Sequence, residues 1–539
     1  MTGPAELLGH AHRRAEHLRP RYRAAGLWSA DPVDEVRLAA ARHAGGLAAA
    51  DRGAALTYGE LDERVDAAAL AMVDAGVVAG SAIVLVVGND VDSVVAVHAA
   101  LRVDAVVLLV PRSAGAKLLA DVLTRTGARL GAAPNWPTVT EPELSGRCQW
   151  IDLSVEPGDE DRTGTAPRPA RPADEPCVVL YTSGTTARPK GVIHSLSTLA
   201  KASANYIAAA GLGSCDRIFL ISPLASVTGV LQALFIAPKL AIPVILEDRW
   251  DPAATCDLMV ASGATWYGGP DRLLDRMLDE AAARAAVVPL RAVYLGGTML
   301  DRRIVERVED DFGVVVMRAY GSSEIPVSTS GLRTESRQVR HGDDGAALGD
   351  VEVRVGSVAE PTECCIKGPH TFLGYTDAED DRHAFDGEWF RTGDVAEVVD
   401  GRVRIIGRIK DIVIRNGLKI PAAEVEEAVS RIGGVRECAA YSVADDTTGE
   451  RLAMAVVLEP DRRPDSMSLA GVARALAAEG LPKYKLPEEL VFWDEPLPVN
   501  ANGKVDRATL AAGSAGRPRL LAERLGAAGQ EASTPEASR

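Results

Sequence analysis

Residues 181–195 hold the densest group of side chains that could do chemistry: Tyr-Thr-Ser-Gly-Thr-Thr-Ala-Arg-Pro-Lys-Gly-Val-Ile-His-Ser. The apolar run at residues 178–181 predicts a buried strand before the loop, and residues 192–194 predict a short strand after it. Between these strands, hydroxyls, backbone N–H groups and the Lys190 ammonium can converge on one point, which suits the phosphates of a nucleotide. The loop is not a mononucleotide P-loop, because Lys190 precedes Gly191 and a strand instead of opening a helix.

Four later stretches carry further side chains that can bind a nucleotide or a metal ion. They are Tyr-Gly-Ser-Ser-Glu at residues 320–324, Trp-Phe-Arg-Thr-Gly-Asp at 389–394, Gly-Arg-Ile-Lys-Asp at 407–411 and Asn-Gly-Lys-Val-Asp-Arg at 502–507. Together with the first loop, and in this order, they resemble the adenylate-forming superfamily of acyl- and aryl-CoA ligases, adenylation domains and firefly-type luciferases. Taken alone, the first loop could equally be a polar hairpin in solvent, and the four later matches argue against that alternative.

The resemblance implies that the chain activates a carboxylic acid with ATP as an acyl-AMP. This reaction brings two anions together, so the protein must supply positive charge, oriented donors and a metal ion. The resemblance makes Lys190, Glu324 and Lys504 the expected catalytic residues, with Glu324 as the Mg²⁺ ligand. Tyr320 would flank adenine, and Asp394 would accept both ribose hydroxyls. The expected ATP- and AMP-binding residues are Thr182, Ser183, Gly184, Thr185, Thr186, Tyr320, Gly321, Ser322, Ser323, Asp394 and Arg408.

Lys504 stands on a glycine-containing loop, far from the other groups in sequence. In the family such a lysine reaches the carboxylate and the α-phosphate in one orientation of a mobile C-terminal domain, and a contact made mainly in the transition state raises turnover. Lys410 falls where the family has its hinge, and Gly417 resembles a glycine that lines the pantetheine tunnel. The alternatives are a surface lysine for Lys504 and an ordinary turn glycine for Gly417. The expected co-substrates are ATP with Mg²⁺, and CoA or a holo-carrier protein.

An acyl pocket is expected around residues 223–229, which read Pro-Leu-Ala-Ser-Val-Thr-Gly. Amino-acid-activating domains carry an aspartate near here, and a buried ammonium facing apolar groups would be heavily penalised, so an α-amino acid is not expected. Small and apolar residues leave room for a cyclic, aryl or branched acid, and the segment looks most similar to cyclohexane- or aryl-carboxylate CoA ligases. The expected pocket residues are Leu224, Ala225, Ser226, Val227, Gly296, Gly297, Thr298 and Ile325.

Three positions depart from the family pattern. Ala187 replaces a loop glycine, Ser226 replaces a histidine or aromatic residue, and Pro421 is shifted by one residue. The leading hypothesis is an ATP-dependent acid–CoA ligase, and the alternative is a stand-alone adenylation enzyme that loads a carrier protein in trans. A third hypothesis, a nucleotide-binding paralogue without catalysis, is favoured by the first two departures and disfavoured by Glu324 and Lys504. The sequence identifies neither the acid, the thiol acceptor nor the oligomeric state.

The elements that must position these side chains alternate between strand and helix over residues 57–126 and again over 218–317. This alternation predicts an α/β fold, with a large N-terminal domain of parallel α/β subdomains and a β-rich subdomain near residues 351–399. A small, mobile α+β C-terminal domain is expected to follow. The predicted boundaries are 1–406 for the AMP-binding domain, 407–512 for the C-terminal domain and 513–539 for a disordered tail.

Composition narrows the range of partners. The chain has 539 residues and a formal net charge of -16, which argues against a general nucleic-acid or anionic-membrane surface. Its seven cysteines show neither zinc spacing nor a disulfide framework. The N-terminus lacks the apolar core of a signal peptide, and no apolar run reaches membrane-spanning length. We therefore expect a cytoplasmic protein that binds a small carboxylic acid and a thiol, and neither nucleic acid nor a membrane.

Overall fold

The computed structural model describes residues 7–136, 144, 146–153, 166, 169–182, 189–296, 302–499 and 505–522. The first part of the chain forms α1 (Gly9–Ala24), α2 (Glu35–His43), β1 (Leu47–Ala50), β2 (Ala55–Thr57), α3 (Tyr58–Asp74), β3 (Ala82–Val87), α4 (Val91–Arg102), β4 (Val106–Pro111), α5 (Gly115–Thr126), β5 (Leu130–Ala132), β6 (Gln149–Trp150), β7 (Pro176–Tyr181), β8 (Gly191–Ser195) and α6 (Leu196–Ala210). The middle part forms β9 (Ile218–Leu220), α7 (Val227–Gly229), a π-helix (Val230–Ile236), α8 (Ala237–Leu240), β10 (Val244–Leu246), α9 (Pro252–Ala261), β11 (Trp266–Gly269), α10 (Asp271–Ala283), β12 (Ala292–Gly296), α11 (Arg302–Asp310) and β13 (Val315–Tyr320).

A β-rich part follows, and then a smaller α+β part. The first comprises β14 (Thr329–Ser330), α12 (Arg337–Gly342), β15 (Ala346–Ala347), β16 (Glu352–Val355), β17 (Glu363–Lys367), β18 (Gly374–Tyr375), α13 (Ala378–Asp381), β19 (Phe385–Asp386), β20 (Trp389–Val399) and β21 (Arg402–Arg408). The second comprises β22 (Ile412–Arg415), β23 (Leu418–Pro421), α14 (Ala422–Ser430), β24 (Val435–Asp445), β25 (Gly449–Leu458), α15 (Leu469–Ala478), β26 (Glu489–Trp493), α16 (Arg507–Gly513) and β27 (Arg519–Leu521).

Local sequence explains where these elements begin. The Thr57 hydroxyl accepts the Glu60 N–H, and the Glu60 carboxylate accepts the Thr57 N–H, so a capping box starts α3. Asp90 caps α4, because its carboxylate accepts the Ser93 N–H. Strand β3 is buried along its whole length, as expected for a parallel strand covered on both faces.

Three sheets are present in the described residues. One has the strand order β18-β8-β7-β4-β3-β5-β6, and it places the end of β7 and the start of β8 at its carboxyl edge. The largest has the order β16-β17-β20-β21-β15-β14-β13-β12-β11-β9-β10-β1-β2, with β19 beside β20. Strands β9 to β13 pair in parallel, so the residues that follow β9, β12 and β13 meet at one edge of this sheet. The predicted α/β fold class is confirmed.

The C-terminal unit has its own sheet, ordered β23-β22-β25-β26-β27 with β24 beside β25. Strand β27 pairs with β26 through Leu520 and Leu490, so the prediction that the disordered tail begins at residue 513 is wrong. The predicted tail contains two apolar residues at 520 and 521 that complete the sheet edge, and a strand this short leaves little alternation in sequence. Residues 523–539 lie outside the described residues. Within the described ranges, no helix is both long and apolar enough to cross a membrane.

Candidate active site

Three of the predicted nucleotide-binding side chains meet where β13 ends beside the β20–β21 hairpin. The Tyr320 hydroxyl donates to the Asp394 carboxylate at 2.7 Å, and Arg408 Nε lies 3.2 Å from the other carboxylate oxygen. Asp394 and Arg408 are directly opposite partners in the hairpin, so strand pairing brings them together. Burial first, and then the Asp394 charge, raise the pKa of Tyr320 well above its ordinary value. The phenol therefore remains protonated and acts as a donor.

The main chain around Asp394 fixes the direction of its carboxylate. The Thr392 hydroxyl donates to the Cys364 carbonyl at 2.8 Å and accepts the Asp394 N–H at 3.1 Å. Gly393 has φ +73°, a left-handed conformation that glycine adopts without strain, and its N–H donates to Glu363 at 3.1 Å. Asp394 is only 7% exposed, whereas Arg408 lies on the surface. The carboxylate thus lies at the base of an open site, where its two oxygens suit a ribose diol.

The tight loop after β13 carries the predicted metal ligand, Glu324. The Ser322 hydroxyl donates to one of its oxygens at 2.7 Å and the Tyr375 hydroxyl donates to the other at 2.8 Å. Gly321 permits the turn, because a Cβ built there would lie 2.5 Å from the Val327 nitrogen. Both carboxylate oxygens keep lone pairs for a hard cation, and Mg²⁺ commonly takes one or two carboxylates together with substrate phosphates. Glu324 therefore fits that role.

Thr182 and Lys190 are hydrogen-bonded to each other at the two ends of the loop that joins β7 to β8. The Thr182 N–H donates to the Lys190 carbonyl at 2.9 Å, and the Lys190 N–H donates to the Thr182 hydroxyl at 3.3 Å. The Lys190 ammonium lies 3.3 Å from Asp380 and 4.6 Å from the centre of the Tyr375 ring. Because the hydroxyl of Tyr375 bonds Glu324, one tyrosine touches both the predicted phosphate-binding lysine and the predicted metal ligand.

Two buried histidines support the loop after β13. His194 Nε2 lies 2.7 Å from the Ser323 carbonyl oxygen, and its Nδ1 lies 3.0 Å from the Thr198 hydroxyl. Since a carbonyl oxygen only accepts, the ring donates from Nε2 and accepts at Nδ1. His370 Nε2 lies 2.7 Å from the Ser328 hydroxyl. Burial lowers the pKa of His194 to about 4 and the pKa of His370 to about 3, so both rings are neutral at pH 7.

Asn89 positions the start of the predicted acyl pocket. Its side-chain oxygen accepts the Leu224 N–H at 2.8 Å. Its amide nitrogen donates to the carbonyls of Ser222 at 3.0 Å and Glu247 at 3.1 Å. The buried amide therefore ties together the ends of two parallel strands and the segment that follows one of them.

The predicted pocket residues divide into two groups in the structure. Leu224, Ala225 and Ile325 are 1%, 4% and 0% exposed, so their side chains pack in the core instead of facing an open pocket. Val227 and Gly296 are accessible. The Ser226 hydroxyl caps the helix that follows: it donates to the Pro223 carbonyl and accepts the Gly229 N–H. Ser226 is thus committed to local structure and cannot serve as a substitute for a histidine at the carboxylate.

Three aromatic side chains, one each from α6, β11 and β12, pack against one another. Tyr206, on α6, makes edge contacts with Tyr294 and Trp266 at ring-centre distances of 4.8 Å and 5.9 Å. The Trp266 indole N–H donates to the Tyr206 hydroxyl at 3.1 Å, and the Gln232 amide donates to the Gly268 carbonyl at 3.0 Å. A Cβ built on Gly268 would lie 2.4 Å from the Tyr206 hydroxyl oxygen. These three rings form an aromatic floor, and the Tyr206 hydroxyl and the Gln232 amide occupy the space beside Gly268.

The predicted hinge residue, Lys410, lies close enough to Asp394 and Arg408 to interact with their charges, whereas the predicted tunnel residue, Gly417, lies outside these clusters. Lys410 is exposed in a single 3₁₀ turn between β21 and β22. Gly417 has φ +75°, and nothing in the described part of the chain lies within 4 Å of a Cβ built there. Its neighbour Lys419 pairs with Glu360 on the surface. The tunnel role of Gly417 therefore stays a prediction in this arrangement of the C-terminal unit.

Several predicted site residues lie outside the described residues, and their roles also stay predictions. They are Ser183, Gly184, Thr185, Thr186, Gly297, Thr298 and Lys504.

Sequence reasoning missed Tyr375, the neutral pair His194 and His370, Asn89 and the aromatic floor. Only His194 had a usable signal, since it follows the predicted phosphate-binding loop on a buried strand. The others come to the site from distant elements, where an isolated tyrosine or asparagine resembles any core residue.

Comparison with known proteins agrees with this geometry. The family model described as AMP-binding enzyme matches residues 36–376, and the AMP-binding enzyme C-terminal domain matches residues 424–504. A salicylyl-CoA synthase / salicylate adenylyltransferase from a Streptomyces species is 30% identical over 535 residues, covering 91% of this chain and 95% of that protein. The 2-succinylbenzoate–CoA ligase of Geobacillus kaustophilus is 28% identical, covering 86% and 94%.

A solved structure of an anthranilate CoA ligase in complex with anthranoyl-AMP superposes with a TM-score of 0.80 at 19% identity, covering 90% of this chain and 98% of that one. At this identity the match demonstrates a shared fold. The family match spans most of the chain and both of its predicted folded units, and it confirms the resemblance that the five motifs indicated. This chain is a member of the AMP-binding enzyme family of adenylate-forming proteins.

Proposed function

We propose that the chain activates a compact cyclic or aryl carboxylic acid with ATP as an acyl-AMP and transfers the acyl group to CoA as a thioester. The observation that carries this proposal is the contact between Tyr320, Asp394 and Arg408, on the same loop-and-hairpin framework as Glu324. Asp394 suits the ribose diol and Glu324 suits a metal ion on the phosphates of the same nucleotide, because Tyr320 bonds Asp394 and is joined to Glu324 by one short turn. Family membership makes the chain an AMP-forming acid–thiol ligase.

In the first half-reaction a carboxylate oxygen attacks the α-phosphorus, and the bond from that phosphorus to pyrophosphate breaks. Asp394 would hold the ribose hydroxyls while Tyr320 lies against the base. Lys190 would exchange its contact with Asp380 for the β- and γ-phosphates, since its ammonium is already close to that side of the site. Mg²⁺, held by Glu324 and phosphate oxygens, would supply neutralising charge when bound.

In the second half-reaction a thiol sulfur attacks the acyl carbonyl carbon, the proton leaves the sulfur and AMP is released. CoA and a carrier protein present the same pantetheine thiol. The Streptomyces and Geobacillus relatives are named as a CoA synthase and a CoA ligase. These names support CoA as the acceptor. Loading of a carrier protein is the alternative, and offering the enzyme both acceptors distinguishes the two.

The aromatic floor supports a short acid. We take the packed rings of Tyr206, Trp266 and Tyr294 as the end of the acyl pocket, with the Tyr206 hydroxyl and Gln232 occupying the space beside Gly268. Two relatives act, by name, on salicylate and 2-succinylbenzoate, and both of these acids contain a benzene ring. A benzoate-sized acid is therefore the proposed substrate class.

The test is acid-dependent exchange of pyrophosphate into ATP, measured over benzoates, cyclohexane carboxylate, branched acids, α-amino acids and fatty acids of increasing length. We expect exchange with ring acids and none with α-amino acids or long chains. The acid that gives the strongest exchange is then offered CoA or a holo-carrier protein with ATP. Thioester formation on CoA supports the proposal, whereas loading of the carrier alone would favour the alternative. No exchange with any acid would favour a nucleotide-binding paralogue without catalysis.

A further inference from the structure

A cleft of 580 Å³ opens between α4, α6, the end of the π-helix with α8, and the segment after α1. Its walls are largely apolar and include Trp28, Leu101, Leu234 and Phe235. None of the residues assigned to the nucleotide or to the acyl pocket lines it. The cleft is therefore a candidate for a binding site with a separate purpose.

Topology places this cleft at the opposite end of the β7 sheet from the phosphate-binding loop. Strand β7 leads to Thr182 at its carboxyl end, and β8 returns antiparallel so that Ser195 lies beside Pro176. Helix α6 starts at the next residue, and its first turn, with Leu196 and Ser197, lines the cleft. The five intervals of about 3.3 Å between the six residues of β7 separate the two ends by roughly 17 Å.

Two buried polar atoms on residues that line the cleft have no hydrogen-bond partner within the described structure: Nε2 of His98 and Oγ of Ser203. Buried polar groups in folded proteins are nearly always satisfied, so each such atom calls for a partner. Burial lowers the pKa of His98 to about 4, which leaves the imidazole neutral at pH 7. Its unpaired nitrogen is thus a hydrogen-bonding group and not a positive charge.

The cations around the cleft are already matched by carboxylates. Arg102 Nε lies 2.8 Å from Asp34. Lys201 lies 2.6 Å from Asp350, and Lys239 lies 3.1 Å from Glu35. A charged ligand would therefore have to break an ion pair or remain without a counter-charge, and both outcomes disfavour it.

We propose that this cleft binds an uncharged aromatic molecule that carries a hydroxyl group. The ring packs among Trp28, Leu101 and Phe235. A hydroxyl group both donates and accepts, so it satisfies His98 Nε2 or Ser203 Oγ, which a hydrocarbon cannot do. Both atoms are closed to solvent in this structure, so binding includes a small side-chain movement. The site is independent of acid activation, since it shares no residue with the nucleotide cluster.

The experiment is isothermal titration calorimetry of the full chain with 4-methylphenol and, as a matched probe without the hydroxyl, toluene. Ala204 lines the cleft from the exposed side of α6, so Ala204→Trp fills the cleft at little risk to folding. His98→Phe removes the unpaired nitrogen while keeping a ring. Val227→Trp fills the predicted acyl pocket instead and reports on phenol bound there.

We expect wild type and Val227→Trp to bind 4-methylphenol with similar affinity, and toluene at least tenfold more weakly. Ala204→Trp should lose at least tenfold in affinity while its acid-dependent pyrophosphate exchange stays at the wild-type rate, and His98→Phe should show a smaller preference for 4-methylphenol over toluene than wild type. The proposal is overturned if wild type fails to bind 4-methylphenol at millimolar concentration. It is equally overturned if toluene binds as well as the phenol, or if Val227→Trp and not Ala204→Trp abolishes binding.

Discussion

Tyr375 offers the sharpest test of how the phosphate end of the site is assembled. Tyr375→Phe removes the hydroxyl that donates to Glu324 at 2.8 Å and leaves the ring beside the Lys190 ammonium. A hydrogen bond to a charged group contributes about 1.5–3 kcal/mol, and each 1.36 kcal/mol is tenfold in rate. Glu324 is half-buried, so the lower part of that range applies. We expect kcat/KM for MgATP in pyrophosphate exchange to fall about tenfold, with a higher Mg²⁺ requirement.

Tyr375→Leu removes the ring as well, and a cation–π contact adds about 0.5–2 kcal/mol, so a further loss is expected with this variant. Tyr58→Phe is the matched control. Its hydroxyl is equally buried and donates to the carbonyls of Ala237 and Ile242, away from the nucleotide residues, so it should lower stability without changing the Mg²⁺ dependence. The reasoning is refuted if Tyr375→Phe keeps the wild-type Mg²⁺ dependence, or if Tyr58→Phe shifts it equally.

Lys504→Ala should abolish acyl-AMP formation while ATP binding, measured by calorimetry, stays nearly unchanged; equal loss of both would contradict its role. Gly268→Ala places a Cβ 2.4 Å from the Tyr206 hydroxyl, so we expect a lower melting temperature, partly recovered in the double variant with Tyr206→Phe. Burial lowers the pKa of His194 from 6.5 to about 4, so the unfolded chain binds the proton first as pH falls. The free energy of unfolding is unaffected by this group above pH 6.5, and at pH 5 the group has lowered it by roughly 2 kcal/mol. The free energy of unfolding, measured by urea titration at several pH values, should fall more steeply with decreasing pH in wild type than in His194→Gln. The same pH dependence in both proteins would contradict this prediction.

The sequence predicted those parts of the site in which short motifs carry both chemistry and geometry. Asp394 and Arg408 lie on adjacent strands of one hairpin, so two local motifs were enough to place them together. Glu324 follows Tyr320 within one five-residue motif, so a single tight turn carries both side chains. In each case the contacts are short-range in sequence or span one hairpin, where pattern and turn chemistry are informative.

The rest depends on packing between distant elements. Tyr375 reaches Glu324 because β18 pairs with β8, a register that no local pattern encodes. Leu224 and Ile325 follow active-site strands, yet core packing turns their side chains inward. Ser226 was compared with a histidine by position, whereas its hydroxyl is used as a helix cap. The fold class could be read from alternating periodicity, but β27 could not, because its two apolar residues are too few to form a pattern.

The most direct test of the account is a crystal structure with a non-hydrolysable acyl-sulfamoyl adenosine made from the acid that gives the strongest exchange. We predict both ribose hydroxyls within hydrogen-bond distance of Asp394, the base beside Tyr320, and the ring of the acid above Gly268. A mimic bound away from Tyr320, Asp394 and Arg408 would contradict the central claim that these three residues hold the adenylate.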